Sequence, residues 1–186
     1  MNKENLETPL NKIRRSDLAK DDAWIRDFLH HGEIGVMATS QDDQPFLVSR
    51  NYAYDEDRHA IYTHGAKKGR TFENVQANPK VCFSVSEMGR LIPNTTALEF
   101  GVEYAGVVIF GCAKLVSGEA EATHGLRILL EKYFPHLDFG VDYKPITSEA
   151  LKVTAVFRID VESWSGKEKK VDDDFPGAFY YGENNQ

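Results

Sequence analysis

The chain opens with about fifteen polar, aperiodic residues, and regular patterning begins only after them. In SDLAKDDAWIRDFLHHGEIG, Leu18, Trp24, Ile25, Phe28 and Leu29 fall on one helical stripe. Acidic residues in the first turn and Gly32 after the last predict a helix over 21–31. Beyond Gly32 the apolar period shortens. Segments 34–39, 46–54 and 60–63 are rich in β-branched and aromatic residues, and SQDDQ and DEDR between them have the composition of turns, so the three read as an antiparallel meander. RTFENVQANP interrupts the meander with a short helix that places Phe72, Val75 and Gln76 on one face. It ends at Asn78-Pro79 because proline cannot continue a helix. The strand pattern returns in KVCFSVSE, EYAGVVIFGCAKLV and LKVTAVFRIDVESW. Between the last two, EAEATHGLRILLEKYF carries Leu126, Leu129, Leu130 and Tyr133 at helical spacing and closes at Pro135.

At least six strands and three helices follow from this pattern, with most strands joined by short turns. That is an α+β, mainly β fold whose sheet must be antiparallel and closed or nearly so, since consecutive strands otherwise leave unpaired edges. A doubly wound parallel sheet needs a crossover helix between most strands, and the meander excludes it. The expected organisation is an N-terminal arm (1–15), one domain (16–169) and a charged tail (170–186), GKEKKVDDDFPGAFYYGENNQ reading as a solvated or loosely docked extension.

Charge narrows the partners. With 22 basic against 29 acidic residues the net charge is -7, which argues against a surface that coats nucleic acid or anionic membrane. No apolar run approaches the roughly 20 residues of a membrane span, and MNKENLETPLNKIRR has no apolar core of a secretory signal, so a cytoplasmic location is the expectation. Cys82 and Cys112 lie in apolar strands, where free thiols act as small hydrophobes. His30, His31, His59, His124 and His136 lack zinc-site spacing, and no metal is expected.

Against this acidic background the stretch HGAKKGRTFENVQANPKV stands out, with Lys67, Lys68 and Arg70 gathered where a strand runs into a helix. Free N–H groups of a first helical turn attract anions, glycines let a ligand approach, and Arg70 can fork onto phosphate oxygens. Spacing alone fits either a phosphate cradle or a solvated basic turn. His64 can bond a ligand, supply a proton or cap the turn.

The run PFLVSRNYAYDEDRHAIYTHGAKKGRTFENVQANPKVCFSV, with EYAGVVIFGCAKLV and ESWSGKE, resembles the flavin-nucleotide-binding branch of the pyridoxamine 5'-phosphate oxidase-like superfamily, which includes 5-nitroimidazole resistance proteins. The resemblance spans about residues 16–169 and implies an FMN-binding split β-barrel, a homodimer with flavin at the subunit interface. By position, Val48, Ser49, Arg50 and Asn51 resemble the strand lining the isoalloxazine ring, Tyr62, Thr63 and His64 the next stretch along the flavin, and Arg70 the arginine facing the phosphate, with Lys68 beside it. Two positions depart: Thr71 stands where relatives commonly have lysine, and Gly106 where many have serine. Trp164 and Lys167 lie where relatives often approach the flavin or the partner subunit; Lys167 reads equally as a solvent-facing lysine.

The implied activity is reduction of a small organic acceptor, nitro-aromatic or quinone-like, with electrons from NAD(P)H passing through FMN. His64 is the candidate catalytic residue. A second reading is a flavin carrier, store or redox sensor without turnover. A third, pyridoxamine phosphate oxidation, lacks the expected C-terminal arginine and histidine pattern.

Overall fold

The computed structural model describes residues 9–183; residues 1–8 of the expected arm and 184–186 of the expected tail lie outside the described residues. Eight strands form one antiparallel sheet: β1 (Ala19–Lys20), β2 (Gly35–Gln41), β3 (Gln44–Arg50), β4 (Ala53–Asp55), β5 (Ala60–Ala66), β6 (Lys80–Ile92), β7 (Gly101–Leu115) and β8 (Thr154–Lys169). Their order is β3-β2-β6-β7-β8-β5-β4, with β1 paired to the far end of β8. Four helices flank the sheet: α1 (Asp22–His31), α2 (Arg70–Ala77), α3 (Glu119–Tyr133) and α4 (Ser148–Val153). The mainly β, α+β reading holds.

One boundary differs in a way that shapes the molecule. Residues 46–54, expected as one strand, form β3 and β4 on opposite edges of the sheet. Arg50 and Ala53 are three residues apart, so the two edges come within about 11 Å of each other there, and the sheet curls into a split barrel. The cause is Tyr52. Its ring is fully buried, its hydroxyl donates to Leu29 O of α1 at 2.9 Å, and its N–H donates to the Tyr133 hydroxyl of α3 at 3.1 Å. The residue that would continue the β3 ladder is drawn out of it by two helices.

The core lies inside the curl. On β7 every second residue, Ala105, Val107, Ile109 and Ala113, faces in, meeting Phe83 and Val85 of β6, Met37 of β2 and Phe157 and Ile159 of β8. Helix α1, N-capped by Asp21, closes this layer with Ile25, Phe28 and Leu29. It sits so close to β8 that a Cβ at Gly166 would meet Ile25 at 2.6 Å. Each large side chain buried there contributes about 1.5–3 kcal/mol. The opposite face of the sheet over β2, β6 and β7 shows half-buried, uncharged Val36, Ala38, Cys82, Ser84, Val108 and Phe110. Both cysteines are free thiols.

Other boundaries also move. Helix α4 takes Leu151, Lys152 and Val153 from the expected last strand, because Thr147 caps it by accepting from Ala150 N. That strand in turn runs on through Ser165, Gly166, Lys167 and Glu168, held between β1 and β7. Helix α2 buries Thr71, Asn74 and Val75, while Gln76 is exposed. Asn74 Nδ2 donates to Thr39 Oγ1 at 2.9 Å, which turns a polar position inward.

The tail is docked. Leu91 and Phe179 exchange backbone hydrogen bonds at 2.7 and 3.2 Å. Arg90 donates to the carbonyls of Val171, Asp172 and Asp173 at 3.2, 3.0 and 2.8 Å. Among the described residues no helix is long and apolar enough to cross a membrane.

Candidate functional site

The split brings the end of β3 against the end of β5. Val48 and Ser49 alternate on β3, so half-buried Val48 packs on the core and exposed Ser49 faces out. Arg50 follows and reaches across the gap. Its Nη1 donates to His64 O at 2.6 Å and its guanidinium lies 5.3 Å from the centre of the Phe157 ring. Its Nε is buried without a partner, and burial lowers its pKa with no carboxylate among the described residues to offset it. Gly65 is required for this approach, since a Cβ there would meet Nη1 at 2.7 Å. Asn51 O accepts from Thr63 Oγ1 at 2.8 Å, a second tie across the split.

From Ala66 the chain turns into α2 through exposed Lys67 and Lys68 and through Gly69, whose φ of +92° suits glycine and leaves nothing within 4 Å of a would-be Cβ. No side chain caps α2, so the N–H groups of its first turn point free, with Arg70 exposed beside them. Thr71 is buried, its residue only 7% exposed, so it packs rather than reaching outward. The positive end of α2, Lys68 and Arg70 gather cationic character at the exit of β5, and Arg50 adds another cation where β3 meets that strand.

His64 is exposed on β5, yet neighbouring bulk first and the Arg50 cation second hold its imidazole below the ordinary value. It is therefore largely neutral near pH 7, with one nitrogen to donate and one to accept. Tyr62, one residue from Thr63, faces away from the split. It packs against Gly125 of α3 and donates to Glu121 Oε1 at 2.9 Å, and burial pushes its pKa up to about 12.

Trp164 and Lys167 stand apart from this group within the chain. His64 pairs with Val156 of β8, and Trp164 is eight residues further along, roughly 26 Å at the rise of a strand. Trp164 Nε1 donates to Asp22 at 2.8 Å, and its ring meets His59 with centroids 4.6 Å apart. Lys167 Nζ lies 5.0 Å from the centre of the Tyr104 ring, on a groove of about 610 Å³ that Gly106, Val108, Ser84 and Ser86 also line. The sequence reading missed Phe157 and Gly65 as the floor beneath Arg50; alternation marks Phe157 as core, but nothing local says what stacks on it.

A single phosphate monoester carries close to two negative charges near neutral pH. The free N–H groups of α2 with Arg70 and Lys68 can meet it by charge-assisted hydrogen bonds, and the orphaned Arg50 can meet an anionic or electron-rich edge at the split. The model for the pyridoxamine 5'-phosphate oxidase family matches residues 21–168. A search of curated proteins finds no match. Among solved structures, the flavocytochrome Anf3 of Azotobacter vinelandii superposes with a TM-score of 0.77 at 22% identity, covering 90% of this chain and 78% of that one. An FAD and heme binding protein of Mycobacterium smegmatis gives 0.72 at 16% identity, with 82% and 74% covered. A protein assigned to 5-nitroimidazole antibiotic resistance in Bacteroides thetaiotaomicron gives 0.68 at 19% identity, with 81% and 86% covered.

Proposed function

The chain belongs to the pyridoxamine 5'-phosphate oxidase family, and from that premise we propose that it is an FMN-dependent oxidoreductase that reduces a small organic acceptor with electrons from NAD(P)H. The observation that carries this reading is the pairing of an uncapped, basic helix entrance at α2 with a carboxylate-free arginine at the split, two anion-seeking features at the C-terminal end of β5. Flavin-binding neighbours of the same fold support the cofactor class. A single basic, uncapped helix entrance among the described residues supports the mononucleotide over FAD.

Bound FMN supplies the two-electron transfer. The protein's part is to hold and orient it. Arg70, Lys68 and the first-turn N–H groups of α2 would hold the phosphate, and residues 48–51 and 63–65 would hold the ring. Arg50 would set a positive charge beside the bound ring and so favour added electron density on it. Neutral His64 would offer a hydrogen bond to ring or acceptor. The half-buried, uncharged face of β2, β6 and β7 suits a second copy of the chain, which would carry the partner's Trp164 side and Lys167 groove toward the site.

One observation favours a second reading, a flavin carrier without turnover: the one histidine at the split is held below its ordinary pKa and is a poor proton donor at neutral pH. Anaerobic mixing of the flavin-loaded protein with NADH or NADPH separates the two. Bleaching within turnover time supports the enzyme, and a stable oxidised spectrum supports the carrier. The cofactor itself is tested by FMN titration of the full chain and of Arg70→Ala. The variant is expected to bind about tenfold more weakly with its thermal midpoint unchanged; equal FMN affinity in both proteins would remove Arg70 from the site.

A further inference from the structure

One buried cation has no part in the flavin reading. Lys132, on the last turn of α3, is half-buried, and its Nζ donates to Leu29 O at 3.0 Å. The same nitrogen stands 3.6 Å from the centre of the Tyr52 ring and 5.6 Å from that of Tyr133. Its structural duty is shared, because Leu29 O also accepts the Tyr52 hydroxyl at 2.9 Å. An ammonium has three N–H donors and here finds one carbonyl and a ring face. Burial alone moves its pKa, down to about 8, so a fraction of the amine is unprotonated where exposed lysines hold their proton.

The amine opens on a cavity of about 330 Å³ lined also by His30, Ala53, Tyr54, Ile128 and Glu131. That space holds a group of several heavy atoms. The titratable groups facing Lys132 are His30 of α1, Tyr52 and Tyr54 around β4, and Glu131 and Tyr133 of α3. Burial raises both Tyr52 and Tyr54, which therefore stay neutral at pH 8 and add no counter-charge.

From this nucleophile set against a cavity and lacking an ion-pair partner among the described residues, we propose that Lys132 is a site of covalent acylation by small activated acyl donors. The nitrogen lone pair bonds to the acyl carbon, and the bond from that carbon to its phosphate oxygen or thiolate sulfur breaks. The leaving group keeps the bonding pair, and the amine proton passes to Glu131 or to water. The product is a neutral amide whose remaining N–H can still donate to Leu29 O, and an uncompensated charge disappears from a half-buried place.

The test treats the native full chain at pH 7.5 with limiting acetyl phosphate in one arm and an acetyl thioester in the other, and quantifies each lysine by peptide mass spectrometry. Lys132 is expected to acetylate about tenfold faster than exposed Lys12 and Lys144 in at least one arm, and the responsive arm identifies the donor class. Its rate should level off above about pH 8. Labelling of Lys132 at or below the rate of Lys12 and Lys144 in both arms, or only after urea is added, overturns the proposal.

Discussion

Two arginines withdrawn from water differ in what they meet. At the end of the β6–β7 hairpin, Arg90 is saturated: Nε and Nη2 donate to both oxygens of Glu103 at 2.9 and 2.8 Å, and the tail carbonyls take what remains. At the split, Arg50 has one carbonyl, one ring face and an Nε with nothing to bond. A buried charge that a fold satisfies internally is a fastener, since removing either partner strands the other. A charge left without an anion gives the fold little and is kept where an anion from outside can complete it. The same residue type thus separates a structural corner from a binding one.

The largest expected effect tests the fastener. Arg90→Met leaves Glu103, 6% exposed, without its counter-charge, and should lower the urea midpoint of unfolding more than Arg50→Met or His64→Gln does, while freeing the tail. FMN affinity should hold, since Arg90 belongs to a different corner. An unchanged urea midpoint would mean that the tail is not held by this pair. Acid probes the same pair. Hydrogen bonds from Arg90 hold the Glu103 carboxyl at about 2, against its ordinary 4.5. Because the folded value lies below the unfolded one, the pair's contribution is complete above about pH 4.5 and disappears as pH falls toward 2. Protection of the Leu91 and Phe179 amides from hydrogen exchange, taken relative to the intrinsic rate at each pH, should fall through that window; protection unchanged at pH 2 would contradict it.

Next in size is the opposite substitution at the split. Arg50→Met removes a charge with no ion-pair partner, so stability should shift by less than about 1 kcal/mol, whereas FMN affinity should fall about 10- to 100-fold. Calorimetric titration beside a thermal melt reads both. If Arg50→Met unfolds as readily as Arg90→Met, the two arginines are the same kind of residue and the comparison collapses.

Much of this was legible in the chain. Alternation along 103–116 and the stripe through Trp24, Ile25, Phe28 and Leu29 give the β7 wall and the α1 cover directly, because burial on one face imposes the period. The break at Asn51 and Tyr52 was not, since Tyr52 looks like any strand aromatic and only its distant partners, Leu29 and Tyr133, pull it from the ladder. The basic turn at Lys67, Lys68 and Arg70 was visible as composition. The lone state of Arg50 was invisible, because it depends on Gly65 and Phe157 arriving from elsewhere in the sheet. Helix α2 shows the same limit: Asn74 turns inward for Thr39, a partner 35 residues away.

The smallest effect sharpens what Arg50 does to its neighbour. His64 is held below its ordinary value of 6.5, by burial and then by Arg50. The unfolded chain therefore takes up this proton more readily than the folded one, and the residue costs stability as pH falls below about 6.5. His64→Gln should flatten the stability profile on the acid side of that value and leave it unchanged at pH 8. In Arg50→Met, loss of the second cause should move the His64 titration upward, readable from its ring protons by NMR. The shift should be modest, because crowding by neighbouring atoms, the larger cause, remains. A His64 titration unmoved by that substitution would mean that the guanidinium's field does not reach the imidazole, and the split would then hold two independent groups rather than one electrostatic site.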